Sequence, residues 1–554
     1  MTSRREDILP DRVDKLNELG IALSAETNTA RLLERILLGA RELTNADAGT
    51  LYRVTEDGRH LRFESLHNGT LGIALGGTTG EPVPFPPIVL RDAKGRPNHN
   101  NVAACAALEG RSFHVSDAYA AEDFDFSGTR RMDRETGYRS CSFLTMPLKN
   151  HEEEVVGVLQ LINALDPDTG AVIPFGGLEQ RLAESLASQA AVALTKKELI
   201  DGQKALFQSF IQLIATAIDR KNPTTGKHCE RVPKLALMLA DAALEATEGP
   251  LRDFTLTEDE YFELQVGAWL HDCGKITTPE DVLNKATKLE CVRDRIHEVN
   301  LRFEILGRDA EIAALRRRLA TSGGADQSTE EDDEFRRQRE RMDADRLFLA
   351  SANLGTEYMS PDDQERITEI GSRYCWRDAQ GVERPLLDSE EVESLRIPRG
   401  TLSDQERRII NDHVRVTLDM LGTLPYPRSL RQVPDIAGSH HERMDGRGYP
   451  RGLTADQMTL QARMVALADV FEALSAADRP YKPAKSLSES LGIMGRMVED
   501  GHIDPDLFDC FVRQGVYLNY ARSYLAPEQI DEVDLDSLPG YTARPPEALR
   551  SGTL

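Results

Sequence analysis

The strongest constraint on this chain is a set of metal-ligand side chains scattered far apart: His271-Asp272, His413, His440-His441 and Asp469. Adjacent His-Asp, a distant lone His, adjacent His-His and a late Asp form an N/O-rich, thiolate-free set. Such a set suits divalent-metal hydrolysis of a phosphate ester better than a structural zinc. Asp272 can bridge two cations while His271 binds one. Gly274 lets the backbone turn closely, and Lys275 can reach a phosphate oxygen. Adjacent histidines in a regular helix point about 100° apart, so His440 and His441 require a local break. Gly446 and Gly448 signal one. Asp469 lies among Val465, Leu467, Val470 and Phe471 in a helical run, where an unpaired carboxylate is costly.

The chain has 554 residues and a net charge of −25. That length predicts several domains, and the acidic balance argues against broad nucleic-acid binding. A small anionic nucleotide stays compatible, because local arginines and metals can outweigh a distant acidic surface. Seven cysteines without CxxC spacing suggest reduced thiols in a cytoplasmic protein. The start has no signal-peptide pattern, and no apolar run suggests a membrane span.

Residues 1–46 read as an N-terminal helix, with Leu16, Leu19, Leu23, Leu32, Leu33, Ile36 and Leu37 at helical spacing. Residues 47–177 turn to short strands and form an α+β domain. A connecting helix follows at 178–206, with an apolar stripe that continues through Leu206, Phe210, Leu213 and Ile214. Two copies could pair there as a parallel connector, or the stripe could lie on its own domain. From 207 to 525 the chain reads as almost all helix. A charge-dense insertion at about 290–400 suggests a helical hairpin with arms Glu311–Ala320 and Glu330–Leu349 around a breaker at Thr321–Thr329. Its charges are expected to form a solvated face. The tail at 526–554 reads as a poorly ordered acidic segment.

Two resemblances add to this reading. Thr136–Asn150 with Gly157–Asn163, supported by Phe124–Thr129, resembles a GAF domain. In the subset of GAF domains that binds cyclic nucleotides, the motif positions correspond to Asn163-Ala164, Phe175 and Glu179-Gln180. The subset's lysine is absent here and its acid pair is only partly kept. A small-ligand sensor and a ligand-free dimerisation module both stay open. His440–Pro450, with Asp469–Leu474 and Asp478–Tyr481, resembles the HD-GYP family, bacterial signal-transduction cyclic di-GMP phosphodiesterases of the HD hydrolase group. This resemblance covers Phe207 to about Tyr524, apart from the insertion.

The HD-GYP resemblance implies metal roles for His271, Asp272, His413, His440, His441 and Asp469. It implies phosphate or guanine contacts for Lys275, Arg479 and Lys482. Arg443, Asp445, Gly448 and Tyr449 then shape the guanine-side wall, or form a turn that only aims His440 and His441. His297 competes with His413 for the third-histidine place. His413 is assigned, because its surroundings and its spacing of 27 residues before His440 resemble the family's. His228 resembles the first ligand segment, as a ligand or a histidine hydrogen-bonded nearby. Family members with three metals carry glutamate where Thr224 stands, so two ions, iron or manganese, are expected. The implied activity is hydrolysis of cyclic di-GMP to linear pGpG and onward to GMP, with Asp272 and Lys275 catalytic and the GAF domain regulating. A catalytically weak cyclic-dinucleotide sensor, hydrolysis of another cyclic dinucleotide or nucleoside phosphate, and a scaffold recruiting partners through the insertion are the rivals.

Overall fold

A computed structural model describes residues 2–92, 94–221, 227–320, 325–355, 358–476 and 484–542. The chain divides into two compact units, Met1–Leu206 and Phe207–Leu554.

The first unit opens with α1 (Thr2–Ala25) and α2 (Thr29–Thr44). The single helix expected over these residues is interrupted because Asn28 takes extended backbone and its side chain accepts a hydrogen bond from Arg31 N, the capping geometry that starts a new helix. The sheet strands are β1 (Ala46–Val54), β2 (His60–Asn68), β3 (Ile73–Gly76), β4 (Ile88–Val89), β5 (Phe113–Val115), β6 (Phe143–Lys149), β7 (Val155–Leu165) and β8 (Val172–Ile173). They form one antiparallel sheet in the order β3-β2-β1-β7-β6-β5, with β4 on β2 and β8 on β7. Helices α3 (Val102–Glu109) and α4 (Ser127–Thr136) lie between strands, and α5 (Gly177–Lys221) begins in this unit and ends in the next.

The alternation of strand side chains builds two cores. One joins Leu51, Leu144, Leu159 and Leu161 to Ile36, Leu37, Leu186 and Ala190 of the helices. The other joins Tyr52, Phe143 and Val158 to Val102, Phe113 and Phe126. The residues at the cyclic-nucleotide motif positions do structural work. The Asn163 side chain accepts from Cys141 N and Ser142 N at 2.7 and 3.2 Å and donates to Tyr138 Oη at 3.0 Å. Phe175 is buried in the first core, and Glu179 pairs with Arg12.

The second unit contains α6 (His228–Leu244), α7 (Glu258–Leu270), α8 (Glu280–Leu283), α9 (Ile296–Ala320), α10 (Ala325–Leu354), α11 (Pro361–Arg373), α12 (Ser389–Leu395), α13 (Asp404–Asn411), α14 (His413–Gly422), α15 (Val433–Ala437), α16 (Leu460–Ser475), α17 (Leu487–Glu499), α18 (Pro505–Arg513) and α19 (Val516–Tyr524). Its main core packs Leu235 and Leu239 of α6 and Leu264 of α7 around Leu467 and Phe471 of α16, with Phe508, Phe511 and Tyr520 behind. The insertion has a core of its own, from Phe303, Met342, Leu349, Ile367 and Leu386. Within it α9 and α10 run antiparallel. Arg339 of α10 meets Glu304 of α9, and Leu289 N near the start of α9 bonds Asn353 near the end of α10. Its outer charges pair among themselves on the surface, as Arg308 does with Glu304 and Glu311. The insertion also holds a two-stranded ribbon, β9 (Cys375–Arg377) with β10 (Glu383–Pro385). The all-helical expectation missed this ribbon because each strand is three residues long.

Residues 526–542 depart from the poorly ordered acidic segment expected of them. Ile530, Val533, Leu535, Leu538 and Tyr541 pack on the main core, and Thr542 bonds Asp509. The intervening acids hid this apolar series from a reading of composition. No described helix is long and apolar enough to cross a membrane.

Candidate metal centre

Each candidate ligand sits where a helix begins or ends, or on a buried helix face. His228 is the first residue of α6, and Lys227 before it has φ 104°. His271 closes α7, and Asp272 leads into a short 3₁₀ turn, Cys273–Thr277. His413 opens α14. The helix α15 stops at Ala437, so His440 and His441 lie in the turn after it. That is the break their adjacency demanded. Asp469 lies on α16 and is 9% exposed, while His271, His413 and His440 are at most 2% exposed.

Asp272 joins two halves of the cluster. Its Oδ2 lies 3.4 Å from both His228 Nε2 and His271 Nε2. Its Oδ1 lies 3.2 Å from His413 Nε2 and 3.9 Å from His440 Nε2. Asp469 Oδ1 joins the first half, 3.1 Å from His228 Nε2 and 3.8 Å from His271 Nε2. In the second half, donor atoms of His413, His440 and His441 all lie within 4.8 Å of one another. His297 has no place in this cluster; it is exposed on α9, whereas His413 is buried beside Asp272.

Backbone carbonyls set the tautomers. His271 Nδ1 faces Ala268 O at 2.7 Å, His413 Nδ1 faces Ile410 O at 2.6 Å, and His440 Nδ1 faces Ala437 O at 2.7 Å. A carbonyl only accepts, so each Nδ1 carries the proton and each Nε2 lone pair points into the cluster. For His228 the partner is the Glu472 carboxylate, 2.5 Å from Nδ1, and Glu472 also accepts from Arg231 Nε at 2.7 Å. The sequence reading assigns Glu472 no role, although its position one turn after Asp469 puts both carboxylates on one face of α16.

Burial, then the proximity of the His441 and His271 rings, holds His440 well below the ordinary histidine range. Burial likewise brings His441 down to about 4. Both are therefore neutral, the form that binds metal. His228 is the opposite case. Burial opposes its charge, but Glu472, Asp272 and Asp469 together hold it well above the ordinary value. Burial would raise Asp272, yet Lys275 and His271 keep it ionised, and Lys275 Nζ lies 2.5 Å from its Oδ2. A cation binding at this half thus replaces a proton. Metal uptake near pH 7 is expected to release about one proton per chain, measurable by calorimetry in buffers of different ionisation enthalpy. Glu472→Gln, which weakens the hold on His228, should lower metal affinity about 10- to 100-fold. An unchanged affinity would show that Glu472 does not tune the centre.

The packing around the cluster is close. A Cβ on Gly274 would sit 1.9 Å from His413 O, and Gly274 N donates to Thr417 Oγ1 at 2.9 Å. A Cβ on Gly448 would sit 2.4 Å from Glu442 Cα. Glu442, fully buried, accepts from Arg451 N and Leu453 N and so holds the loop in shape. Tyr449 stacks on His441, ring centroids 4.9 Å apart. Arg443 and Asp445 pair with each other at 2.8 Å, and Arg443 also reaches Asp500 O. Arg479, Lys482 and Thr224 lie outside the described residues.

The donors are imidazole and carboxylate groups without a thiolate, which fits iron, manganese or zinc better than an all-oxygen cation such as magnesium. Buried side chains convergent from α6, α7, α14, α16 and the turn after α15 define a histidine-aspartate cluster that could hold metal, in a helical domain. The match to known families is consistent with this. The HD domain family model matches residues 390–507, and the GAF domain model matches residues 28–194. The chain thus carries a GAF domain followed by an HD domain.

Among curated proteins, it is 42% identical over 114 residues to 3'3'-cGAMP-specific phosphodiesterase 1 of Vibrio cholerae, covering 21% of this chain and 26% of that protein. It is 32% identical over 188 residues to 3'3'-cGAMP-specific phosphodiesterase 3 of the same organism, covering 34% of each. It is 40% identical over 120 residues to cyclic di-GMP phosphodiesterase PA4108 of Pseudomonas aeruginosa, covering 21% of this chain and 28% of that protein. The chain therefore spans about a quarter to a third of the length of the relatives it matches.

Proposed function

We propose that the second unit is a metal-dependent phosphodiesterase that opens cyclic di-GMP to linear pGpG and carries it onward to GMP. The observation that carries this reading is the Asp272 carboxylate, one oxygen turned to His228 and His271 and the other to His413 and His440. A bridging carboxylate between two imidazole sets is the arrangement that holds two cations at the spacing of phosphoester hydrolases. His228, His271 and Asp469 would hold one ion, His413, His440 and His441 the other, and Asp272 both. Iron(II) or manganese(II) bound there would lower the pKa of a shared water and polarise the phosphate. Buried Nδ1–H contacts keep the rings aimed, so little reorganisation is needed when the phosphate arrives. Lys275 stays cationic beside Asp272 and places positive charge where phosphate oxygens develop theirs. Tyr449, fixed against His441, and the Arg443–Asp445 pair form the wall proposed to face a guanine base.

Substrate choice has a second reading, hydrolysis of 3'3'-cGAMP, favoured by the names of two of the relatives above. Competition between cyclic di-GMP and 3'3'-cGAMP over the manganese-loaded full chain decides it. The expected result is a cyclic di-GMP kcat/KM at least about tenfold higher, a difference of about 1.4 kcal/mol. The reverse ratio would assign the second substrate. Metal and nucleotide binding without turnover of either would mean a sensor.

We also propose that the first unit regulates the second, as a homodimer. On α5, Val192, Leu199, Leu206 and Leu213 recur every seven residues and are 57–64% exposed, and Phe210 is 55% exposed. An exposed heptad seam of this kind supports pairing with a second copy. Leu182, Leu186 and Ala190, earlier in the same stripe, are instead buried in the first unit's own core.

A further inference from the structure

A second group of metal-binding side chains lies in the first unit. His99, in the loop before α3, has Nδ1 3.9 Å from Cys105 Sγ and 3.5 Å from Glu109 Oε1. One donor atom from each of the three lies within 4.8 Å of the others. Cys105 and Glu109 are four residues apart on α3, so their side chains share one face. In a tetrahedral site with Zn–S about 2.3 Å and Zn–N or Zn–O about 2.0–2.1 Å, neighbouring donor atoms sit about 3.3–3.6 Å apart. The His99–Glu109 separation falls inside that range. The His99–Cys105 separation exceeds it by a few tenths of an ångström.

Other contacts aim these donors. Arg111 Nε holds Glu109 Oε2 at 2.7 Å, which leaves Oε1 turned to His99. Cys105 is 2% exposed, and its thiol donates to the His99 carbonyl at 3.2 Å. The loop itself is tied down, since Asn98 Nδ2 donates to Val89 O at 2.8 Å and Asn101 caps α3. His99 and Glu109 remain open to solvent, with side chains 57% and 33% exposed. An ion therefore has an entry path from solvent.

We propose that His99, Cys105 and Glu109 bind a thiophilic divalent cation of the zinc class, which pins the loop of residues 96–101 to α3. The donor set differs from the histidine-aspartate centre in containing a thiolate, so the two sites sort metals by softness. Binding forms bonds to the cysteine sulfur, the imidazole and the carboxylate, and the thiol proton leaves to solvent. Burial pushes the Cys105 thiol up from its ordinary value, so uptake should weaken as pH falls.

Cobalt(II) is the probe, because a thiolate ligand produces a near-ultraviolet charge-transfer band that imidazole and carboxylate ligands do not. The full-length chain, loaded with manganese(II), is titrated with cobalt(II). The expected result is a thiolate band saturating at about one cobalt per chain, lost in Cys105→Ser. His99→Ala and Glu109→Gln, at solvent-exposed positions, should keep the native circular dichroism and weaken cobalt binding at least about tenfold. Cyclic-dinucleotide turnover under manganese should not change in any of the three. No band in the parent chain, a band that survives Cys105→Ser, or one indifferent to both exposed variants would overturn the proposal. Should Cys105→Ser fail to fold, the two exposed variants decide the question alone.

Discussion

Asp272→Asn is expected to reduce cyclic-dinucleotide turnover at least about 10³-fold, equivalent to about 4 kcal/mol of transition-state stabilisation, and to lower bound metal at both halves of the centre. Each oxygen of this one carboxylate serves a different imidazole set, so no other residue can substitute for it in both. Asparagine keeps the shape and removes the charge. Asp272→Ala adds a structural penalty, because it leaves Lys275 and the cationic His228 facing each other in a buried site. Breaking a buried ion pair from one side costs about 3–5 kcal/mol. Kinetics and metal counts on both variants separate these effects. Turnover within tenfold of the parent in Asp272→Asn would sink the bridging role.

The second large effect is steric. Gly274→Ala should destabilise the chain by about 3 kcal/mol and cut turnover on the order of 10²-fold. Its new Cβ would meet the His413 carbonyl at 1.9 Å and Thr417 N at 2.8 Å, both backbone atoms that cannot rotate away. The turn after Asp272 and the start of α14 would have to separate, and His413 would leave Asp272. The same substitution at Gly202, on α5 with nothing within 4 Å, is the control. It should stabilise by about 0.5–1 kcal/mol, because alanine has less backbone entropy to lose in a helix. Thermal unfolding of the two variants, with metal content measured on each, tests the contrast. Equal melting temperatures would show that the approach at Gly274 is softer than its geometry implies.

Much of the candidate site is legible in the sequence alone. His271-Asp272, His413 and His440-His441 are residue types with a narrow chemical use, and their order along the chain limited the readings to a few. The break after α15 was legible too, since two adjacent histidines cannot share a metal from a regular helix. Glu472 was not, because a glutamate in a helix reads as a solvated side chain until the helix is known to be buried. Its partner His228 is 244 residues away, and local pattern does not carry contacts of that range. The same holds for Glu442, whose partners are backbone amides in a loop.

The misread segments fail for related reasons. The break between α1 and α2 depends on one capping asparagine inside an otherwise helical apolar series. The ordered stretch at 526–542 depends on a core that receives its apolar side chains, while its composition alone resembles a solvated acidic tail. What the sequence determined by itself was the chemistry available, namely imidazoles and carboxylates without a thiolate, and the periodicities that make strands first and helices afterwards. What only the tertiary structure decided was which oxygen faces which ring, which histidine is held charged and which neutral, and which loop brings His99 onto Cys105. Those outcomes depend on distances between residues remote in the chain, and burial then sets the strength and sign of each interaction.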